Sequence, residues 1–143
     1  MRIRIEADVT IERPTTEVFA VVTDVAHHPD WSGGVERVVD LSDDPVRLGT
    51  SWTQFSRILG RLFEVHAKVT ALESERSFEF SVDKPTRVKM IWRLQAAPTG
   101  TRVFVTAEGN PGLLYGLVRP MVGSLREVLA ADLGRLKQRL EAR

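Results

Sequence analysis

Apolar and polar residues alternate one for one from Arg2 to Ile11: Ile3, Ile5, Ala7, Val9 and Ile11 share one side, and Arg2, Arg4, Glu6, Asp8 and Thr10 share the other. A period of two marks a strand with one buried and one wet face. The period then changes. In the next stretch Pro14 suits the first turn of a short helix with Val18, Phe19, Val21 and Val22 on its apolar side, and Pro29 is expected to force its end before Trp31. Alternation returns at Val35 to Leu41, where adjacent Val38 and Val39 break the pattern and leave Arg37 without an assigned face. Leu48 to Leu72 reads as two strands joined at Gly60-Arg61, since Gly in the first loop position favours a type II′ hairpin. That turn sets Arg57 opposite Glu64, Thr53 opposite Lys68 and His66 opposite Phe55 on the outside. Trp52, Gln54, Ser56 and Ile58 then face Val69, Ala67, Val65 and Phe63 on the inside.

A four-residue loop at Glu73 to Arg76 would carry Phe78, Phe80 and Val82 onto the inner face shared by Ala71, Val69 and Ala67. Turns at Lys84-Pro85 and Pro98-Thr99-Gly100 bound two more strands, with Val88, Met90, Trp92 and Leu94 inward on the first and Thr101, Val103, Val105 and Ala107 inward on the second. Leu94 facing Val103 requires Lys89 to face Glu108 outside, a sensible charge pair from the same inward assignment. After the turn Gly109-Asn110-Pro111-Gly112 the period becomes helical. Leu114, Val118, Met121, Val122, Leu125, Leu129, Leu133, Leu136 and Leu140 form one apolar stripe, and Pro120 predicts a kink or a fresh helix start at that point. The longest loop is expected around Ser42 to Arg47. The pattern predicts an α+β fold over a single domain, residues 1–143: a seven-stranded antiparallel curved sheet wrapped around a long C-terminal helix, with two short helices after the first strand.

Composition narrows the function. Twenty Lys and Arg against 19 Asp and Glu give a formal charge of +1, so no basic stripe for nucleic acid is present. The absence of cysteine excludes disulfides, thiolate metal sites and a Cys nucleophile. The start MRIRIEADVT reads as a strand rather than a signal peptide, and no apolar run reaches membrane-spanning length, so a cytoplasmic location is expected.

The inner face carries the candidate chemistry. It is mostly apolar, with Gln54, Ser56 and Thr101 as its polar members and Ala67, Ala71 and Ala107 leaving room, the composition of a small-molecule site of roughly 300 to 1,000 Å³. The candidate ligand-binding residues are Trp52, Gln54, Ser56, Ala67, Phe80, Met90, Trp92, Thr101 and Val103 on the sheet, with Met121 and Leu125 on the helix. The competing reading is a collapsed core, in which the aromatic and Met side chains fill the middle and Gln54 and Ser56 are satisfied internally. Adjacent His27 and His28, with Asp24 a turn before, invite a metal or general-base reading. Neighbouring helical side chains diverge by about 100°, however, and no third ligand is near, so surface or capping roles are expected and no metal. Asp132 falls within the apolar stripe. It is the candidate acid, against a structural hydrogen bond or an ion pair with Arg135 or Arg139. Gly116, Gly123 and Gly134 lie opposite the stripe, where a second copy could approach closely; a monomer or weak homodimer is expected.

The element order, with RPTTEVFAVVTDVAHHPDW, the LGTSW strand start, the VTALESERSFEF hairpin and the GTRV strand, resembles the SRPBCC (START-like) superfamily, and within it the bacterial polyketide cyclase/dehydrase-like branch. The resemblance covers nearly the whole chain and implies a helix-grip fold with a cavity between sheet and C-terminal helix. Pro14, Asp24, Trp31 and Gly49 match positions that look architectural, so it implies ligand binding more directly than catalysis. Two functions follow as expectations: binding or carriage, without a cofactor, of a hydrophobic polyketide-, quinone-, lipid- or sterol-like molecule, or a cyclase, dehydratase or aromatase activity, which needs a placed acid and base. With only Asp132, Arg37 or Tyr115 available for such chemistry, binding is the favoured reading. A protein-interaction or regulatory module is the third.

Overall fold

The computed structural model describes residues 2–143, the side chain of Leu117 excepted. Its strands are β1 (Ile3–Ile11), β2 (Val35–Val39), β3 (Ser51–Ile58), β4 (Arg61–Glu73), β5 (Ser77–Val82), β6 (Val88–Ala97) and β7 (Gly100–Gly109). They form one antiparallel sheet in the order β1-β7-β6-β5-β4-β3-β2. Helix α1 (Thr15–Val22) and a 3-10 helix (Val25–Asp30) follow β1, and the 27-residue α2 (Tyr115–Glu141) closes the fold. α1 is shorter than expected. It ends at Val22, with Pro14 as its N-cap, and Pro29 sits inside the 3-10 helix rather than terminating α1.

The sheet's inner and outer faces follow the alternation, and the β6–β7 register is as expected, with Leu94 opposite Val103 and Lys89 opposite Glu108. Gly100 begins β7 where only glycine fits: its φ is +155°, and a Cβ there would stand 2.1 Å from the Ile11 carbonyl oxygen. The β3–β4 register differs by two residues. Leu59 and Gly60, at φ +50° and +79°, are the central residues of the turn, so both have the positive φ of a type I′ hairpin. Trp52 therefore faces Ala67, Gln54 faces Val65, Ser56 faces Phe63 and His66 faces Thr53. A shift of two preserves the inward face while replacing every cross-strand partner. Arg57 pairs with Glu36 at 2.6 Å instead of Glu64.

A register irregularity between Val69 and Ala71 makes the second correction. It places Leu72, not Ala71, opposite the inward Phe78, while Ala71 lies opposite Glu79. The β4–β5 loop is also one residue shorter than expected, since Glu73 pairs directly with Ser77. Arg37 faces outward, its guanidinium 4.6 Å from the Phe55 ring centroid.

Helix α2 runs unbroken through Pro120. Pro120 and Gly116, whose carbonyl it cannot engage, both lie on the exposed side, where a freed carbonyl is accessible to solvent. The stripe divides along its length. Leu129, Leu133, Leu136 and Leu140 are buried in the C-terminal half; in the N-terminal half only Val118 is buried among the described residues, Met121, Val122 and Leu125 are half-buried, and Leu114 precedes the helix and is exposed. Polar ties hold only the C-terminal half: Lys137 Nζ donates to the Thr10 carbonyl (2.6 Å), Arg13 Nε to the Leu140 carbonyl (3.0 Å) and the Glu12 N–H to Glu141 (2.9 Å). Among the described residues, no side-chain hydrogen bond or ion pair joins residues 115–128 to the sheet.

Candidate functional site

The interior between sheet and α2 is filled at one end and open at the other. Beneath the buried half of α2 the filling is aromatic. Trp31 stands edge-on to Trp92 (centroids 5.5 Å), Trp52 lies 5.1 Å from Phe80, and Phe80 lies 5.3 Å from Phe78. Such pairs add specific contact to a large burial of apolar surface. Along the inner face of β3 the polar residues satisfy one another. Trp52 Nε1–H donates to Gln54 Oε1 (2.9 Å), and Gln54 Nε2–H donates to Ser56 Oγ (3.0 Å). Thr101, fully buried, donates to the Arg13 carbonyl at 2.8 Å and so ties β7 to the segment entering α1. Among the described residues the buried Trp31 indole N–H has no hydrogen-bond acceptor.

The open end is a cavity of about 190 Å³. Its floor is the starts of β1 and β6 and the end of β7, contributing Ile3, Ile5, Val88, Met90 and Ala107, and its roof is Val118, Met121, Val122 and Leu125 of α2. Ile58 and Val82 reach it from β3 and β5, and Lys84, Pro85, Thr86 and Pro111 bring two loops to its edge. The inward alternation of these strands explains why the walls are apolar; Ala107 and Gly109, the smallest residues of their rows, explain why the space is unfilled.

Of the residues expected at the site, Met90, Met121 and Leu125 line this cavity. Trp52, Gln54, Ser56, Ala67, Phe80, Trp92, Thr101 and Val103 are buried beyond it, in the packed part of the interior. The two readings of the inner face thus describe its two ends. Ile3, Ile5, Val118 and Val122 went unassigned to the site, although the alternation of β1 and the helical stripe placed all four inward; the missing signal was which end of the sheet stays unfilled.

Asp132 is buried and lies away from the cavity wall. It accepts from Ser32 Oγ (3.0 Å), the Gly33 N–H (2.9 Å) and Arg135 Nη2 (2.5 Å), and so clamps the residue 31–33 loop to α2. Arg135 Nε also donates to the Trp31 carbonyl (2.8 Å), while Arg139 pairs with Asp30.

The histidines separate as their divergence requires. His27 is exposed, and Asp24 at 2.8 Å accepts its hydrogen bond and holds its pKa above the usual value. His28 is buried, a correction to the surface role expected for it. It packs edge-on to Trp31 (5.1 Å), and its Nε2–H donates to the Val22 carbonyl at 2.7 Å. Burial is the main reason its pKa is lowered, which keeps the ring neutral. Among the described residues no group of three or more His, Asp or Glu could hold a metal ion, and no helix is long and apolar enough to cross a membrane.

The profile of a family described as "Polyketide cyclase / dehydrase and lipid transport" matches residues 2–141. No curated protein matches the chain. Solved structures share its fold at low identity. The Zhui aromatase/cyclase from Streptomyces sp. R1128 superposes with a TM-score of 0.83 at 17% identity, over 100% of this chain and 96% of its own. TTHA0849 from Thermus thermophilus gives 0.76 at 20%, over 98% of each chain. A START superfamily protein from Mycobacterium smegmatis gives 0.72 at 16%, over 94% of this chain and 97% of its own.

Proposed function

As the chain belongs to the polyketide cyclase/dehydrase and lipid transport family, we propose that it binds a small, mainly apolar molecule between the ends of β1, β6 and β7 and the N-terminal half of α2. The apolar cavity of about 190 Å³ carries this reading. Its size grades the ligands. It exceeds the roughly 150 Å³ that takes benzene and falls short of the roughly 300 Å³ where drug-sized sites begin. One-ring molecules and short alkyl chains fit as it stands; a sterol or a polycyclic polyketide enters only if the lightly tied N-terminal half of α2 lifts. Binding is favoured over turnover because the titratable residues on the wall are Lys84 and Glu108, and Glu108 is held by Arg2 (2.6 Å) and Arg4 (2.8 Å).

A thermal-shift series with octanol, butylbenzene and a naphthoquinone tests the proposal. A ligand that binds only the folded protein stabilises it by about 2.7 kcal/mol at a hundredfold excess over its Kd. Ala107→Leu, which fills the cavity, is expected to abolish the shift. No shift with any of the probes, or a shift that survives Ala107→Leu, refutes the proposal.

A further inference from the structure

The end of the sheet where the cavity opens is also where its cations gather. On the outer face a groove of about 470 Å³ is lined by Arg2, Arg87, Lys89, Glu108, Thr70 and Ser81, and by Gly109 and Asn110 at the strand end. Three cations and one carboxylate give this groove a formal charge of 3 − 1 = +2, against +1 for the whole chain. The carboxylate is already neutralised. Glu108 accepts from Arg2 and Arg4, and the Arg2 hydrogen bond is the main reason its pKa lies below the usual range. Lys89 has a loose contact with Glu79 at 3.8 Å, and among the described residues Arg87 has no carboxylate partner. Asp83, the nearest other acid in sequence, is turned to His66, accepting from its backbone N–H (2.8 Å) and meeting its ring Nδ1 (3.0 Å).

Groove and cavity meet at a common rim. Glu108 and Gly109 border both, and Arg87 lies between Thr86 and Val88, which line the cavity. Arg2 likewise precedes Ile3. Lys84, an exposed residue at the cavity's edge, adds a further cation on the same side. The apolar walls leave a ligand's polar end nowhere to go but this rim, where the unpaired positive charge stands.

We propose that the protein's ligand is an anionic amphiphile, with a short apolar body in the cavity and a carboxylate or phosphate head at the rim beside Arg87. This rests on the cavity reading above and adds the sign of the head group. Exposed ion pairs contribute little each and are screened by salt, so the charge tunes preference more than it creates binding.

The test compares octanoate, octyl phosphate and octanol by titration calorimetry at pH 7.5. In about 20 mM salt the anions are expected to bind roughly fivefold tighter than octanol, the ratio converging on one in about 0.5 M NaCl. Octyl phosphate the tighter of the two anions assigns a phosphate head; octanoate as tight or tighter assigns a carboxylate. Arg87→Gln, at an exposed residue outside the cavity wall, is expected to cut the anion-to-alcohol ratio to about twofold or less. Octanol binding with no anion preference, or a preference that Arg87→Gln leaves intact, overturns the head-group proposal alone. No binding of any of the three overturns the cavity reading and this proposal with it.

Discussion

Removing the Asp132 side chain tests the clamp that holds the residue 31–33 loop against α2. The carboxylate accepts two hydrogen bonds from that loop, at 3.0 and 2.9 Å, and one from Arg135 at 2.5 Å. Hydrogen bonds to a charged group contribute about 1.5 to 3 kcal/mol each when buried. The two loop donors are taken at the low end because both bonds are only part-buried. Arg135 is 44% exposed at its side chain and stays solvated without its partner, so its share is about 1 kcal/mol or less. Asp132→Ala is therefore expected to lower stability by about 3 to 4 kcal/mol, or roughly 10 °C in Tm for a chain of this length. Asp132→Asn keeps an acceptor for Gly33, and the Ser32 hydroxyl can turn to accept from the new amide, so it is expected to lose only about 1 kcal/mol. Urea unfolding followed by tryptophan fluorescence measures both, and octanol titration of Asp132→Asn should give the wild-type affinity. An Ala variant less than 1 kcal/mol below wild type, or an Asn variant of normal stability that no longer binds, would refute the clamp.

Other substitutions probe the histidines, α2 and the β3–β4 turn. Because His28 has a lowered pKa in the fold, the unfolded chain binds its proton first as pH falls below about 6.5, so His28 removes stability on acidification; His27, with a raised pKa, gains its stability on the other side of that value, as pH falls towards about 6.5, and then holds it. Denaturant midpoints between pH 8 and 5 should accordingly fall less steeply, or rise, in His28→Gln, and an unchanged slope would show that His28 titrates as in the unfolded chain. Gly123→Ala is expected to stabilise by about 1 kcal/mol, since the position is exposed, helical and has nothing within 4 Å of an added Cβ; destabilisation would reveal a contact on that face. Leu59→Asn should also stabilise, by about 1 kcal/mol, because Leu59 holds a left-handed φ of +50° and is 63% exposed as a residue; a loss would mean that the leucine makes a contact that outweighs its strain.

The faces of the strands were legible in the sequence because a period of two survives local errors. Trp52, Gln54 and Ser56 point inward in either β3–β4 register, since the registers differ by two. The partners were not legible. Leucine does not advertise a positive φ, so the turn read naturally with Gly60 in first place, and the resulting Arg57–Glu64 pair was as sensible as the Arg57–Glu36 pair that forms. The irregularity after Val69 exchanges Ala71 for Leu72 through one extra residue that no residue type announces. β6–β7 carried no such ambiguity, and its register was right throughout. The Asp132–Arg135 pair was readable as helical neighbours, but its donors Ser32 and Gly33 are about a hundred positions away. The place of the cavity depends on where large side chains meet across the curved sheet, and alternation along a single strand does not encode that.

Helix α2 is pinned at its C-terminal half by leucines and polar ties, while its N-terminal half roofs the cavity with buried Val118 and half-buried Met121, Val122 and Leu125 and, among the described residues, no such tie. Adaptation to a new ligand is thereby separated from the risk of unfolding. Val118 and Met121 stand outside the core cluster, so substitutions there can reshape the roof while the aromatic cluster and the Leu129–Leu140 face stay as they are; Val122 and Leu125 pack against that core, and a lineage could wander through ligand specificities at the first turns of a single helix while the rest of it keeps the protein folded.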